Sequence, residues 1–136
     1  MSDKIFLDTN ILIYCYTTSE PEKQAIAQSV ASQPLTIIST QVLKEFANIL
    51  YKKFHANWQS VIAARNEVES NFQVVGNSPE SIRNACKIAE KYSFSSYDSL
   101  IIATALESDC KILYSEDLQH NQLIEEILRI KNPFGS

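Results

Sequence analysis

Four acidic residues, Asp8, Glu45, Asp98 and Asp117, have the type and placement for metal-assisted chemistry. Asp8 closes the short apolar run Lys4-Ile-Phe-Leu7 and is followed by Thr9-Asn10. Asp117 follows a second such run, Lys111-Ile-Leu-Tyr114, through Ser115-Glu116. Glu45 lies within Thr40-Gln-Val-Leu-Lys-Glu-Phe-Ala-Asn-Ile-Leu50. It stands three residues after Val42 and four before Ile49, on or beside the apolar face of a helix. Asp98 precedes Leu100-Ile-Ile-Ala-Thr-Ala-Leu106 and shares a side with Ile101, Ile102 and Ala105. That segment is apolar nearly all round and reads as a buried helix. Packed together, four carboxylates repel one another and raise one another's pKa values, which a divalent ion relieves. Carboxylate oxygens are hard ligands that suit Mg²⁺ or Mn²⁺. The usual work of such a site is phosphodiester hydrolysis, in which the metal activates water and no histidine is required.

Each acid also has a purely structural reading. Asp8 and Asp117 follow strands and can cap helices. Glu45, taken alone, reads first as a boundary glutamate reaching solvent. Asp98 can be the third helical residue of a capping box led by Ser95, although Glu or Gln is the usual partner there. A carboxylate facing the core needs a partner, and the nearby sequence offers Asp98 no Lys or Arg. Glu116 reads as a solvated turn residue in preference to a fifth ligand.

The elements that must position these groups alternate between strand and helix. Strands are expected over 4–7, 36–39, 72–75, 111–114 and 127–131. Helices are expected over 10–16, from Pro21 to Pro34, from a Thr40 cap to about Phe54, and over 57–71. Two more run from Ser78-Pro79 to Tyr92 and from Ser95 or Ser96 to Leu106. A short helix is expected after Asp117. This alternation predicts an α/β domain with a mostly parallel sheet. Ligands in such sheets gather beyond the carboxyl ends of the strands, where both Asp8 and Asp117 fall.

Composition removes several other classes. A chain of 136 residues with 45% apolar content fits one globular domain. Two glycines leave no glycine-rich phosphate loop. No apolar stretch is long enough to span a membrane, and no signal-peptide pattern is present, so no membrane role is expected. Cys15, Cys86 and Cys110 are scattered and form no CxxC pair, which indicates a reducing, cytoplasmic setting and no zinc site. Two histidines exclude a histidine-rich metal site. The formal net charge of −4 argues against a broad basic surface for nucleic acid, but the four acids account for all of it. Arg83, Lys87 and Lys91 recur every four residues, and Lys44, Lys52, Lys53, His55 and Arg65 make a second basic group. Lys44, Arg83 and Lys87 are the candidate RNA phosphate contacts; a solvated helix face is the plainer account of the ridge. Tyr51, Phe54 and Trp58 can stack bases, with core or dimer packing as the alternative.

The segments Ile5-Phe-Leu-Asp-Thr-Asn10, Ser39-Thr-Gln-Val-Leu-Lys-Glu-Phe46, Tyr97-Asp-Ser-Leu-Ile-Ile-Ala-Thr-Ala105 and Leu113-Tyr-Ser-Glu-Asp-Leu-Gln119 occur in that order. With a closing Ile130-Lys-Asn-Pro-Phe134, they resemble the PIN domain, and within it the VapC-like toxins of bacterial toxin–antitoxin pairs. The resemblance spans almost the whole chain. It implies a single nuclease domain over residues 1–136, with a three-layer α/β/α fold and a mostly parallel central sheet. It also implies a homodimer and Mg²⁺- or Mn²⁺-dependent cleavage of single-stranded or loop RNA. Asp8, Glu45, Asp98 and Asp117 match the family's acidic quartet, with Asp8, Asp98 and Asp117 as metal ligands. Asn10 matches the polar residue that orients the first Asp. Ser115 matches the Thr or Ser before the last Asp, a partner for water or carboxylate. Asn121 departs from the Gly common at its position, and Asn tolerates a left-handed backbone well. A small antitoxin protein is the implied partner, laying a peptide or helix over the acidic groove with an Arg reaching the carboxylates.

Other readings fit less well. A haloacid-dehalogenase-like phosphatase needs a second Asp where Asn10 stands. A response-regulator receiver needs an Asp after a middle strand, where Gly76-Asn-Ser78 stands. A PIN-like module that binds RNA or protein without cutting remains the alternative from a different class.

Overall fold

Among the described residues, six short strands form one sheet whose two fully buried runs, Ile5–Leu7 and Thr36–Ser39, lie at or beside its middle. The computed structural model describes residues 3–135. The strands are β1 (Ile5–Leu7), β2 (Thr36–Ser39), β3 (Gln73–Val75), β4 (Ile112–Tyr114), β5 (Leu123–Ile124) and β6 (Leu128–Lys131). Every residue of β1 and β2 is buried, as a central parallel sheet covered on both faces requires. The helices are α1 (Thr9–Tyr16), α2 (Pro21–Ala31), α3 (Thr40–Lys52), α4 (Trp58–Asn71), α5 (Pro79–Tyr92) and α6 (Ser96–Glu107). Strands and helices build the expected three-layer α/β/α arrangement with a mostly parallel sheet.

The strand order is β3-β2-β1-β4-β6-β5, parallel throughout except for the antiparallel β5–β6 pair. From β1 the chain winds outward through β2 to β3, then returns to β4 on the other side of β1. The winding therefore reverses between β1 and β4, and a crevice opens beyond their carboxyl ends. Asp8 N–H donates to Tyr114 O (3.0 Å) across that crevice floor. The core fills both faces: Phe6, Ile11, Leu12, Phe46, Ile101, Ile102 and Leu113 are almost wholly enclosed. Val42, Phe46 and Leu50 form the buried stripe of α3 at four-residue spacing. α6 is buried through most of its length, as its composition predicts.

Three expectations need correction. The cap of α3 is Ser39, whose hydroxyl accepts Val42 N–H (3.2 Å), and Thr40 is the first helical residue. α2 ends at Ala31, short of Pro34, where Ser32 closes back onto Gln28, Ser29 and Val30. Among the described residues no helix follows Asp117; bends and a turn lead into the β5–β6 hairpin. Ile127 N–H returns to Ile124 O (3.0 Å) around Glu125 and Glu126, at φ 52° and 59°. Two consecutive positive φ values define a hairpin turn whose twist suits the flanking strands. Glycine normally fills such positions, but here side chains hold the turn. Lys91 reaches Glu125 (2.5 Å), and Tyr92 OH both accepts Glu125 N–H (3.0 Å) and donates to its carboxylate (2.9 Å). Lys91 thus leaves the basic ridge and pins the hairpin. Asn121 does adopt the left-handed backbone expected for it, at φ 69°.

Candidate active site

Asp8 is the hub of the crevice and only 3% exposed. It caps α1: one carboxylate oxygen accepts Thr9 N–H (2.7 Å). The other accepts the Ser115 hydroxyl (2.8 Å), so the structural and chemical readings of Asp8 coexist in one side chain. Burial is the main cause that pushes its pKa from 3.8 up to about 6. The two hydrogen bonds oppose that rise, and the charges of Asp98 and Asp117 add to it.

Ser115, itself fully buried, bridges the two strand ends. While donating to Asp8 it accepts Asp117 N–H (3.2 Å). Asn10, expected to orient Asp8, instead donates to the Asp117 carboxylate (2.9 Å) and accepts Glu116 N–H (3.3 Å). The reason is position. Asn10 sits in the first turn of α1 and faces the loop after β4, while both Asp8 oxygens are already engaged.

Asp98 occupies the third position of α6, where its N–H donates to the Ser95 hydroxyl (3.1 Å). The return bond from its carboxylate to Ser95 is not formed, so the capping box is half made and the carboxylate stays available. Asp98 does not face the core as its apolar neighbours suggested. It is half-buried, because the first helical turn lies at the sheet edge. Glu45 is half-buried too and lines a cleft of about 420 Å³ together with Asp8, Asn10, Tyr97, Glu116 and Asp117.

Two side chains join the site unannounced by the sequence reading. Tyr97 OH meets Thr9 Oγ1 at 2.7 Å. Burial, with the charges of Asp8, Glu45 and Asp98, drives its pKa up to about 12 even though the Thr9 bond opposes the rise. Lys23 of α2 binds Glu116 (2.5 Å), and Tyr14 OH donates to the same carboxylate (2.7 Å). Lys23 also lies over the rings of Tyr14 and Phe134, 4.8 and 5.3 Å from their centroids. Burial pushes the Glu116 pKa upward, but the bonds from Lys23 and Tyr14 more than offset it and the net direction is downward. Glu116 is therefore an ion-paired residue and not the solvated turn residue expected. Tyr97 had a signal, being a polar aromatic beside Asp98. Lys23 had none, since its partner lies 93 residues away.

The candidate RNA contacts Lys44, Arg83 and Lys87 are exposed on α3 and α5, and none lines the cleft. Tyr51 and Trp58 stack on each other at 4.0 Å with their outer faces in solvent, and Phe54 is exposed beside them.

The PIN domain family profile matches residues 5–125. The chain belongs to the PIN domain family. Comparison with curated protein sequences returned no match. Among solved structures, this PIN domain is similar to a toxin–antitoxin complex from Klebsiella pneumoniae, at 21% identity and a TM-score of 0.71, covering 98% of this chain and 100% of that one. It is similar to VapBC from Salmonella typhimurium, solved bound to DNA, at 18% identity and 0.69, covering 97% and 99%. VapC20 of Mycobacterium tuberculosis, described as a Sarcin-Ricin loop cleaving toxin, is similar at 17% identity and 0.68, covering 81% and 87%.

PIN-domain nucleases generally depend on divalent metal. The donors here fit a hard cation: they are oxygens only, and burial, with the charges of Asp98 and Asp117 adding to it, raises the Asp8 pKa. Yet among the described residues no three His, Cys, Asp or Glu side chains are grouped to hold one ion. Asp117 is drawn toward Asn10, and Asp8 toward Ser115 and Thr9. One or two carboxylates completed by water and substrate phosphate is the ordinary Mg²⁺ arrangement, and the cleft offers that.

Proposed function

We propose that this PIN domain is a metal-dependent endoribonuclease, cutting single-stranded or loop RNA as the VapC-like toxin of a type II toxin–antitoxin pair. The observation that carries the reading is Asp8: a buried carboxylate at the sheet's switch point, flanked by the charges of Asp98 and Asp117, with no ion-pair partner among the described residues. In this reading Asp8, Asp98 and Asp117 would supply the carboxylates that hold Mg²⁺ or Mn²⁺, one or two of them to an ion, and the ion would supply an activated water and charge neutralisation at the phosphate. Ser115 locks the Asp8 carboxylate and the Asp117 backbone into one frame. Asn10 fixes the Asp117 side chain from α1. Glu45, half-buried on the cleft wall and without a side-chain hydrogen-bond partner among the described residues, receives the proton from the attacking water as the new P–O bond forms. The leaving oxygen departs with the electron pair of the old P–O bond and takes up a proton from solvent. Glu116, held by Lys23, supports the wall and binds no metal.

Similarity to toxin–antitoxin complexes supports a small antitoxin partner, whose Arg would complement the unneutralised acids. A homodimer belongs to the same proposal. One observation favours a non-cleaving binding module instead, namely that among the described residues no three acids are grouped closely enough to hold one ion.

Incubating wild type and Asp98→Asn with a labelled RNA containing single-stranded loops, in Mg²⁺, Mn²⁺ or EDTA, separates the two readings. The nuclease reading expects cutting by wild type alone and only with metal. A folded Asp98→Asn that cuts as well as wild type removes Asp98 from the site. Binding of RNA without metal-dependent cutting supports the module.

A further inference from the structure

The cleft is lined by Asp8, Glu45 and Asp117, and also by Ile49, Lys53 and Phe54, which lie in and beyond the last turn of α3. Lys53 is the C-cap of α3, where its charge complements the helix dipole. Its N–H closes on Ile49 O (2.8 Å), and Ala56 N–H returns to Leu50 O (3.0 Å) through His55 at φ 56°. The Lys53-Phe54 pair is thus presented on a closed turn. Lys23, Arg65 and Lys91 are spent in ion pairs, whereas Lys53 has no carboxylate partner among the described residues. It is also the one Lys or Arg lining the cleft among those residues. Beside it Phe54 keeps 42% of its surface in solvent.

Resting on the nuclease reading, we propose that Lys53 and Phe54 form a nucleotide-holding subsite in the same cleft. Lys53 takes a backbone phosphate flanking the scissile bond, and Phe54 stacks the base attached to it. A polyanion laid over Asp8, Glu45 and Asp117 is repelled there, so it needs an attachment point at a cation within the same cleft. An unpaired ammonium fits a phosphate, and an exposed ring fits a base face of any identity. Inside a duplex both faces of a base are covered by its neighbours, so a subsite that stacks a base on Phe54 makes the cleft favour unpaired strands. Lys44, Arg83 and Lys87 lie outside the cleft and play no part in it.

The test is equilibrium binding, by fluorescence anisotropy in Mg²⁺, of a short labelled single-stranded RNA and of its duplex. All variants are made in the Asp98→Asn background so that the RNA stays intact. Lys53→Ala is expected to weaken single-strand binding and to flatten the dependence of log K on log salt by about 0.7, one phosphate contact. Lys53→Arg restores both. Phe54→Ala is expected to weaken single-strand binding about tenfold and duplex binding little, narrowing the preference between them. Lys44→Ala leaves all values at those of the parent. Both target side chains are exposed, and unchanged melting temperatures confirm that folding is intact. A Lys53→Ala protein with parental affinity and salt slope overturns the proposal, as does a Phe54→Ala protein with an unchanged preference for single strands. If the Asp98→Asn parent itself cuts RNA, the assignment of the acids fails instead, and the subsite is then read by the same binding series in EDTA.

Discussion

Asp8 and Glu116 stand at the ends of neighbouring strands, yet their surroundings are opposite. Glu116 receives a lysine, a tyrosine hydroxyl and partial solvent, and its pKa moves down. Asp8 receives a serine and a backbone amide but is almost wholly buried near other carboxylates, and burial above all moves its pKa up to about 6. The fold could satisfy a carboxylate at this edge with a cation of its own, and at Glu116 it does. At Asp8 it withholds one. A carboxylate neutralised from within holds elements together, whereas one left un-neutralised in a buried place costs stability and is available for an external cation.

The largest effect expected from breaking this contrast is at Asp8. Asp8→Asn keeps a good helix cap and removes the buried charge. RNA cleavage is expected to fall by at least about a hundredfold. At pH 7 the protein should become more stable by about 1–3 kcal/mol, since two pKa units correspond to about 3 kcal/mol. Gel assays of cleavage and denaturant melts measure the two effects. A variant that loses both activity and stability would place Asp8 with Glu116 as a structural residue.

Ser115→Ala comes next. It removes the hydroxyl that holds the Asp8 carboxylate and leaves a buried oxygen short of a donor. A loss of about 1–3 kcal/mol in thermal or denaturant melts is expected, together with reduced cleavage. Full activity would show that the Asp8 orientation does not depend on this bridge.

Lys23→Met has the smallest expected effect on chemistry. It keeps the stem over Tyr14 and Phe134 but strips the charge from Glu116. Cleavage should change little, while the pH dependence of stability should change. The two carboxylates act with opposite sign. The raised Asp8 pKa means that the folded state holds its proton more tightly, so this group's contribution falls as pH rises from about 3.8 through about 6. The lowered Glu116 pKa gives stability present above its ordinary 4.5 and lost as pH falls through the folded value. Melts of Lys23→Met across acidic pH should therefore lose only the second component. An unchanged profile would show that Lys23 does not neutralise Glu116 in solution.

Most of the fold was legible in the sequence, because its strands are short apolar runs and most of its helices carry local start signals. Asn57, Ser78 and Ser95 each cap the helix expected after them. Asp8 was legible for the same reason, as a carboxylate at a strand end. The β5–β6 hairpin was not. It carries no glycine, and the left-handed turn at Glu125-Glu126 is held by Lys91 and Tyr92 from a distant helix. The Lys23–Glu116 pair is likewise purely tertiary. Burial of Asp98 was overstated because an all-apolar helix hides where its first turn emerges. Lys53 appeared among several basic residues, and only the cleft distinguishes it.

The central claim is that Asp8 is left without a cation of its own so that a divalent ion can take that place. Carbon-13 NMR titration of the Asp8 carboxyl, with and without saturating Mg²⁺, tests it most directly. The account predicts a pKa near 6 without the ion, and a fall of at least about one unit with it. An ordinary carboxylate value without Mg²⁺, or a raised value that Mg²⁺ leaves unchanged, would contradict it.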